Sequence, residues 1–168
     1  MVPLVAVAAG VLALNVRAWN GQVYAQMMDV GQRAPAAKGG HVTFAAEPQT
    51  VAANRPVTLV LRFHVDPGFH INSHAPKSDM LIPTKIAVED LPAGSVSAVD
   101  FPQGTPYSFS FEPKNKLDVY TGDFTLVAHL TAKPGQQTLK AALHYQACDA
   151  SACYPPKLLA VEQPFTAK

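Results

Sequence analysis

The chain has only two cysteines and little charge: Asp, Glu, Lys and Arg together make up 15% of its 168 residues. The charges nearly cancel, at a formal +1, and no basic run or stripe stands out. That argues against nucleic acid as a partner, because a phosphate backbone calls for clustered Lys and Arg. The motifs of several common chemistries are missing as well. There is no glycine-rich phosphate loop, no Gly-x-Ser-x-Gly and no His-Glu-x-x-His. Carboxylates are scattered, without a pair suited to general acid–base work. No internal repeat occurs, and no helical period is convincing beyond the N-terminal segment. The apolar run there, residues 2–14, is 13 residues long, short of the roughly 20 that span a bilayer.

That run instead suits the apolar region of a signal peptide, with Val23-Tyr24-Ala25 as a small-x-small cleavage site. No Lys or Arg precedes it and Arg17 follows it, so a short uncleaved membrane anchor is the alternative. Residues 1–25 are therefore expected to export or tether the protein. Residues 26–40 are small, polar and glycine-containing, and read as a flexible linker. Residues 41–168 are expected to form a single domain.

What is plentiful is β-strand signal. Apolar residues make up 48% of the chain, punctuated by 15 prolines and 10 glycines. In residues 57–65, Val57, Leu59, Leu61, Phe63 and Val65 share one face, while Thr58, Arg62 and His64 point the other way. Residues 123–132 alternate in the same manner, as do residues 139–146. Further short strands are expected at residues 42–44, 69–72, 84–88, 96–101 and 117–120. Short alternating strands with regular turn signals predict an all-β fold, an antiparallel β-sandwich.

Both cysteines fall in Tyr145-Gln146-Ala147-Cys148-Asp149-Ala150-Ser151-Ala152-Cys153-Tyr154-Pro155-Pro156. A strand leads in and an apolar run at residues 158–161 leads out, which predicts a β-hairpin with the cysteines flanking a four-residue loop. Opposed residues there have Cα atoms about 4.5–5.5 Å apart, a separation that permits a disulfide. As a staple it would be weak, since closing so short a loop contributes only about 2 kcal/mol. The residues themselves leave open a local structural disulfide, a redox-active pair and, more remotely, a metal site. Asp149 beside Cys148 opposes thiolate formation, so no strongly depressed thiol pKa is expected.

The stretch Tyr-Gln-Ala-Cys-x4-Cys-Tyr-Pro-Pro resembles the active-site hairpin of the N-terminal periplasmic domain of the DsbD thiol:disulfide interchange family. Three other segments agree with that family, in its order: Gly68-Phe69-His70-Ile71-Asn72-Ser73, Phe101-Pro102-Gln103-Gly104 and Val119-Tyr120-Thr121-Gly122. The resemblance implies an immunoglobulin-like sandwich and a redox-active Cys148–Cys153 pair. It implies that Cys153 forms the mixed disulfide with partners and that Cys148 resolves it. Tyr145, Gln146, Tyr154, Pro155, His70 and Asn72 are expected around the cysteines. The resemblance further implies a periplasmic location and a part in electron transfer of the kind that serves cytochrome c maturation. Its partners would be thioredoxin-fold proteins and a separate membrane electron carrier, with no cofactor and a monomeric domain.

The loop at residues 102–116 carries Tyr107, Phe109 and Phe111 at alternate positions. The resemblance implies an aromatic cap over the disulfide in this region, with Phe109 or Phe111 as candidates; simple packing is the competing reading. His64, His70 and His74 are closely spaced, but nothing makes them converge, and no metal site is expected.

Overall fold

A computed structural model describes residues 37–109 and 113–168 of the chain. The signal-like segment and most of the expected linker lie outside the described residues, as does Phe111. The described strands, in chain order, are β1 (Ala37–Gly39), β2 (Val42–Ala45), β3 (Gln49–Val51), β4 (Val57–Val65), β5 (His70–Asn72), β6 (Lys85–Val88) and β7 (Gly94–Asp100). They continue with β8 (Thr105–Tyr107), β9 (Leu117–Tyr120), β10 (Asp123–Ala132), β11 (Gly135–Tyr145), β12 (Ala147–Cys148) and β13 (Lys157–Ala167). No helix occurs among the described residues.

Two sheets form the body, β1-β2-β4-β10-β7 and β3-β13-β11-β6. Their alternating apolar residues meet in one core. Leu59, Leu61 and Phe63 of β4 and Leu126 of β10 join Leu139 and Leu143 of β11 and Val161 of β13 there. Phe63 stacks on Phe124 at 5.1 Å between ring centroids and tilts against Phe44 at 5.2 Å. The fold is all-β, an immunoglobulin-like sandwich, and among the described residues its strand pairs are antiparallel with one exception: β3 runs parallel to the end of β13.

That exception explains how the two sheets are tied at one edge. Beyond Ala45, β2 no longer covers β4, which leaves the backbone of Val60 without a strand on that side. The Gln49 side chain takes the place of a strand: its Nε2 donates to the Val60 carbonyl at 2.7 Å, and its Oε1 accepts from the Val60 N–H at 3.0 Å. Gln49→Ala should leave both groups unpaired and lower the stability by about 1–3 kcal/mol. Urea unfolding would register this as a lower midpoint at constant slope, and an unchanged midpoint would dismiss the bridge.

A third, smaller sheet, β12-β5-β9-β8, is made from the continuations of body strands. β5 follows β4, β12 follows β11, and β9 leads into β10. The last step is a two-residue turn in which Gly122 takes a φ of +56°, open to glycine at little steric cost. A strand is also present ahead of residue 41. Ala37–Gly39, expected as linker, pairs with β2 as an edge strand, and Lys38 meets Asp66 at 3.2 Å. Three residues with no apolar alternation carry no strand signal; the β2 edge supplies the missing partner.

Candidate functional site

The cysteines sit where β11 leaves the body. The β11–β13 ladder runs as far as Tyr145 opposite Lys157 and stops there. Pro155 and Pro156 have no N–H to continue it. The sequence predicts one unbroken hairpin with a four-residue loop. Instead the chain turns at Gln146 and Ala147–Cys148 crosses to the small sheet, with Ala147 opposite Ile71 and Cys148 opposite His70. Ala147 and Cys148 are both buried, at 3% and 1% exposure. Two consecutive buried residues mean that both faces of this short strand are covered.

Cys148 and Cys153 form a disulfide, with Cα atoms 3.9 Å apart. This is closer than the separation expected of opposed strand residues; the pair forms an isolated bridge at the tip of a miniature hairpin. Asp149 N–H donates to the Ala152 carbonyl at 2.9 Å, and Tyr154 N–H to the Ala147 carbonyl at 2.8 Å. The two sulfurs belong to very different surroundings. Cys148 is buried, whereas Cys153 and the residues on either side of it are exposed.

Asp149 holds this tip. Its Oδ2 accepts from the Tyr154 hydroxyl at 2.7 Å. Its Oδ1 accepts from the Ser151 N–H at 2.7 Å, the Ala152 N–H at 2.8 Å and the Ser151 hydroxyl at 2.9 Å. The bond from Tyr154, followed by those from Ser151 and Ala152, holds the carboxyl far below the usual aspartate range. The same contact raises the Tyr154 phenol. A depressed carboxyl pKa means that the clamp is intact above the ordinary aspartate range and is lost only when pH falls through the native value. Asp149→Ala should therefore speed hydrogen exchange at the Ser151 and Ala152 amides by about tenfold at neutral pH and return the Tyr154 phenol toward the ordinary tyrosine value. Unchanged exchange together with an unshifted phenol titration would refute the clamp.

Beneath Cys148 lies an aromatic layer. His70, 1% exposed, packs against Tyr107 at 4.1 Å and Phe109 at 5.8 Å between centroids, and these two meet edge to face at 5.5 Å. Tyr107, which shares the alternating pattern of the loop, thus makes the nearer contact. It is held there by β8, which pairs with β9 despite Pro106. Burial lowers the His70 pKa, partly opposed by the charge of Asp149.

The other expected residues divide between surface and core. Gln146 donates through Nε2 to the Tyr154 carbonyl at 3.1 Å, bracing the tip at the surface. Pro155 is exposed, and no peptide bond among the described residues is cis. Tyr145 is fully buried and belongs to the core, its hydroxyl pressed toward Gly40. Asn72 is buried as well: its Nδ2 donates to the Ile82 carbonyl at 3.0 Å and its backbone carbonyl accepts from the Thr84 hydroxyl at 2.6 Å. It anchors the loop after β5. Beside the exposed cysteine, His41 stacks on Phe69 at 3.6 Å, and both lie within 6 Å of the Tyr154 ring. No sequence signal singles out His41, because its position depends on the β1–β2 turn. His64 bonds Asp123 at 2.7 Å and His74 bonds the Tyr120 hydroxyl at 2.8 Å, so the three histidines go to three different places. Among the described residues, no group of three or more His, Cys, Asp or Glu could hold a metal ion.

Segments distant in sequence converge here. Tyr120 donates its hydroxyl to the Pro102 carbonyl at 3.0 Å while accepting from His74, and His74 stacks on Phe101 at 4.9 Å. The family described as "Thiol:disulfide interchange protein DsbD, N-terminal" matches residues 41–163. Among solved structures, the reduced form of the DsbD N-terminal domain of Neisseria meningitidis is similar at 20% identity. That match covers 65% of this chain and 76% of that one, with a TM-score of 0.39. No curated protein matches.

Proposed function

The chain belongs to the family of the DsbD N-terminal domain, and on that premise we propose that it is a periplasmic thiol–disulfide exchange module working through Cys148 and Cys153. The observation that carries this reading is the asymmetry of the pair, one sulfur-bearing residue exposed and the other buried at 1%. In the reduced protein the Cys153 thiolate attacks the disulfide of an oxidised partner and forms a mixed disulfide. Cys148 then attacks Cys153, restores the internal disulfide and releases the reduced partner. Two electrons pass to the partner. Catalysis comes from aligning three sulfurs, with no cofactor in the scheme.

The partners in this reading are thioredoxin-fold proteins. One side delivers electrons from a separate membrane carrier, and the other side serves oxidised periplasmic thiol proteins, those of cytochrome c maturation among them. The domain works as a monomer, exported and either free or tethered by its N-terminus. Exposed Cys153 at a loop tip is accessible to such a partner, and the His41, Phe69 and Tyr154 rings beside it offer an apolar contact.

The reduction potential of the pair tests the proposal, read by thiol alkylation across graded glutathione or dithiothreitol buffers. Exchange proteins lie at about −270 to −120 mV, and structural disulfides of secreted proteins below about −300 mV. A value in the upper range is expected. A value below the lower limit would make the bond a staple and leave an exported β-sandwich whose disulfide only shapes a loop.

A further inference from the structure

We infer that His70 is the proton acceptor for Cys148 in the resolving step, an assignment that rests on the exchange reading above. Cys148 and His70 are directly opposed across β12 and β5. Opposed residues of an antiparallel pair put their side chains on one face, with Cβ atoms about 4.5–5.5 Å apart. The ring is therefore within reach of the buried sulfur. His70 is 1% exposed, yet its Nε2 has no hydrogen-bond partner. A buried polar atom without a partner is costly and calls for an explanation. The disulfide supplies one: in the oxidised protein Cys148 has no proton to share, and in the reduced protein it has.

Resolution needs this help. A thiol buried among apolar groups ionises reluctantly, and Asp149 next to it adds a negative charge. Burial keeps the imidazole neutral, so a lone pair stands ready at Nε2 when the proton is on Nδ1. Asp149 favours the imidazolium once it forms. Of the other groups around His70, Tyr107 of β8 meets the ring face. On β9, the Tyr120 hydroxyl is engaged by His74 and Pro102.

Cys153 thiolate attacks the foreign disulfide, forming one S–S bond and releasing a first thiolate that is protonated from solvent. The Cys148 S–H bond then breaks, with the proton moving to Nε2 of His70. The Cys148–Cys153 bond forms as the bond between Cys153 and the partner breaks. The departing thiolate takes the proton from the imidazolium. The pair is oxidised by two electrons and the partner is reduced by two.

Glutathione disulfide is a sufficient probe, with the fully reduced protein quenched in acid and its adduct and internal disulfide counted by mass. The wild type should form the internal disulfide with little adduct. In His70→Gln, adduct formation should stay within about twofold while its decay slows about tenfold or more. The decay in the variant should also rise about tenfold per pH unit as the thiol ionises unaided, where the wild-type rate is flatter. Adduct decay at the wild-type rate would overturn the assignment, as would an equal loss in both phases. A wild type forming neither adduct nor internal disulfide would instead remove the exchange reading, and this step with it.

Discussion

Replacing Cys148 with serine should trap the protein as a mixed disulfide with its partner through Cys153. The first attack needs only the exposed cysteine. Resolution needs a second sulfur held in line, and losing that intramolecular step should lower turnover by about a hundredfold or more. Incubation with an oxidised thioredoxin-fold protein, followed by non-reducing electrophoresis, should reveal a reducible covalent complex. Cys153→Ser should give no complex, because the remaining sulfur belongs to a residue 1% exposed. Both variants lose the same six-residue loop closure, worth about 2 kcal/mol, so equal destabilisation with opposite trapping behaviour separates chemistry from folding. Complexes of equal yield in both variants would contradict the order of attack.

The largest stability effect should come from Tyr120. It is 3% exposed, stacks on Phe124 at 4.9 Å and joins His74 to Pro102 through its hydroxyl. Burial raises its phenol pKa, so the hydroxyl keeps its proton and donates to the Pro102 carbonyl across the neutral range. Tyr120→Ala removes a buried ring and should cost about 3–5 kcal/mol. Tyr120→Phe keeps the ring but strands the His74 and Pro102 groups, and should cost about 1–3 kcal/mol. Chemical denaturation should rank the two variants in that order. A Phe variant as stable as the wild type would mean that the hydroxyl contributes nothing, and that packing alone holds the three segments together.

The two effects concern the same construction at different depths. The disulfide tip is local: Asp149, Ser151, Ala152 and Tyr154 hold it within a few residues. Its floor is not local, since His70, Tyr107 and Phe109 reach it from β5, from β8 and from the loop after β8. A change at Tyr120 should therefore weaken the floor without touching the sulfurs, whereas a change at Asp149 should loosen the tip and leave the core intact.

Much of this was legible from residue order. The bounds and inward face of β4 follow from alternation, because a half-buried strand repeats every two residues and water selects the faces. β9 and β10 follow likewise. The disulfide follows from two cysteines in a short loop, where chain connectivity alone brings them together. Other features had no local signal. β8 contains Pro106 and three residues in all, and it exists because β9 offers it an edge. β12 is two residues long, and only β5 makes it a strand. Nothing in the order of residues says that Cys148 faces His70, or that Tyr107 lies closer to His70 than Phe109 does. Residue order by itself determined the all-β character, the alternating faces and the cysteine pair, since these rest on neighbours along the chain. Tertiary structure decided which cysteine is buried, what lies beneath it and how the small sheet closes over the end of the sandwich, since these rest on register between strands far apart in sequence.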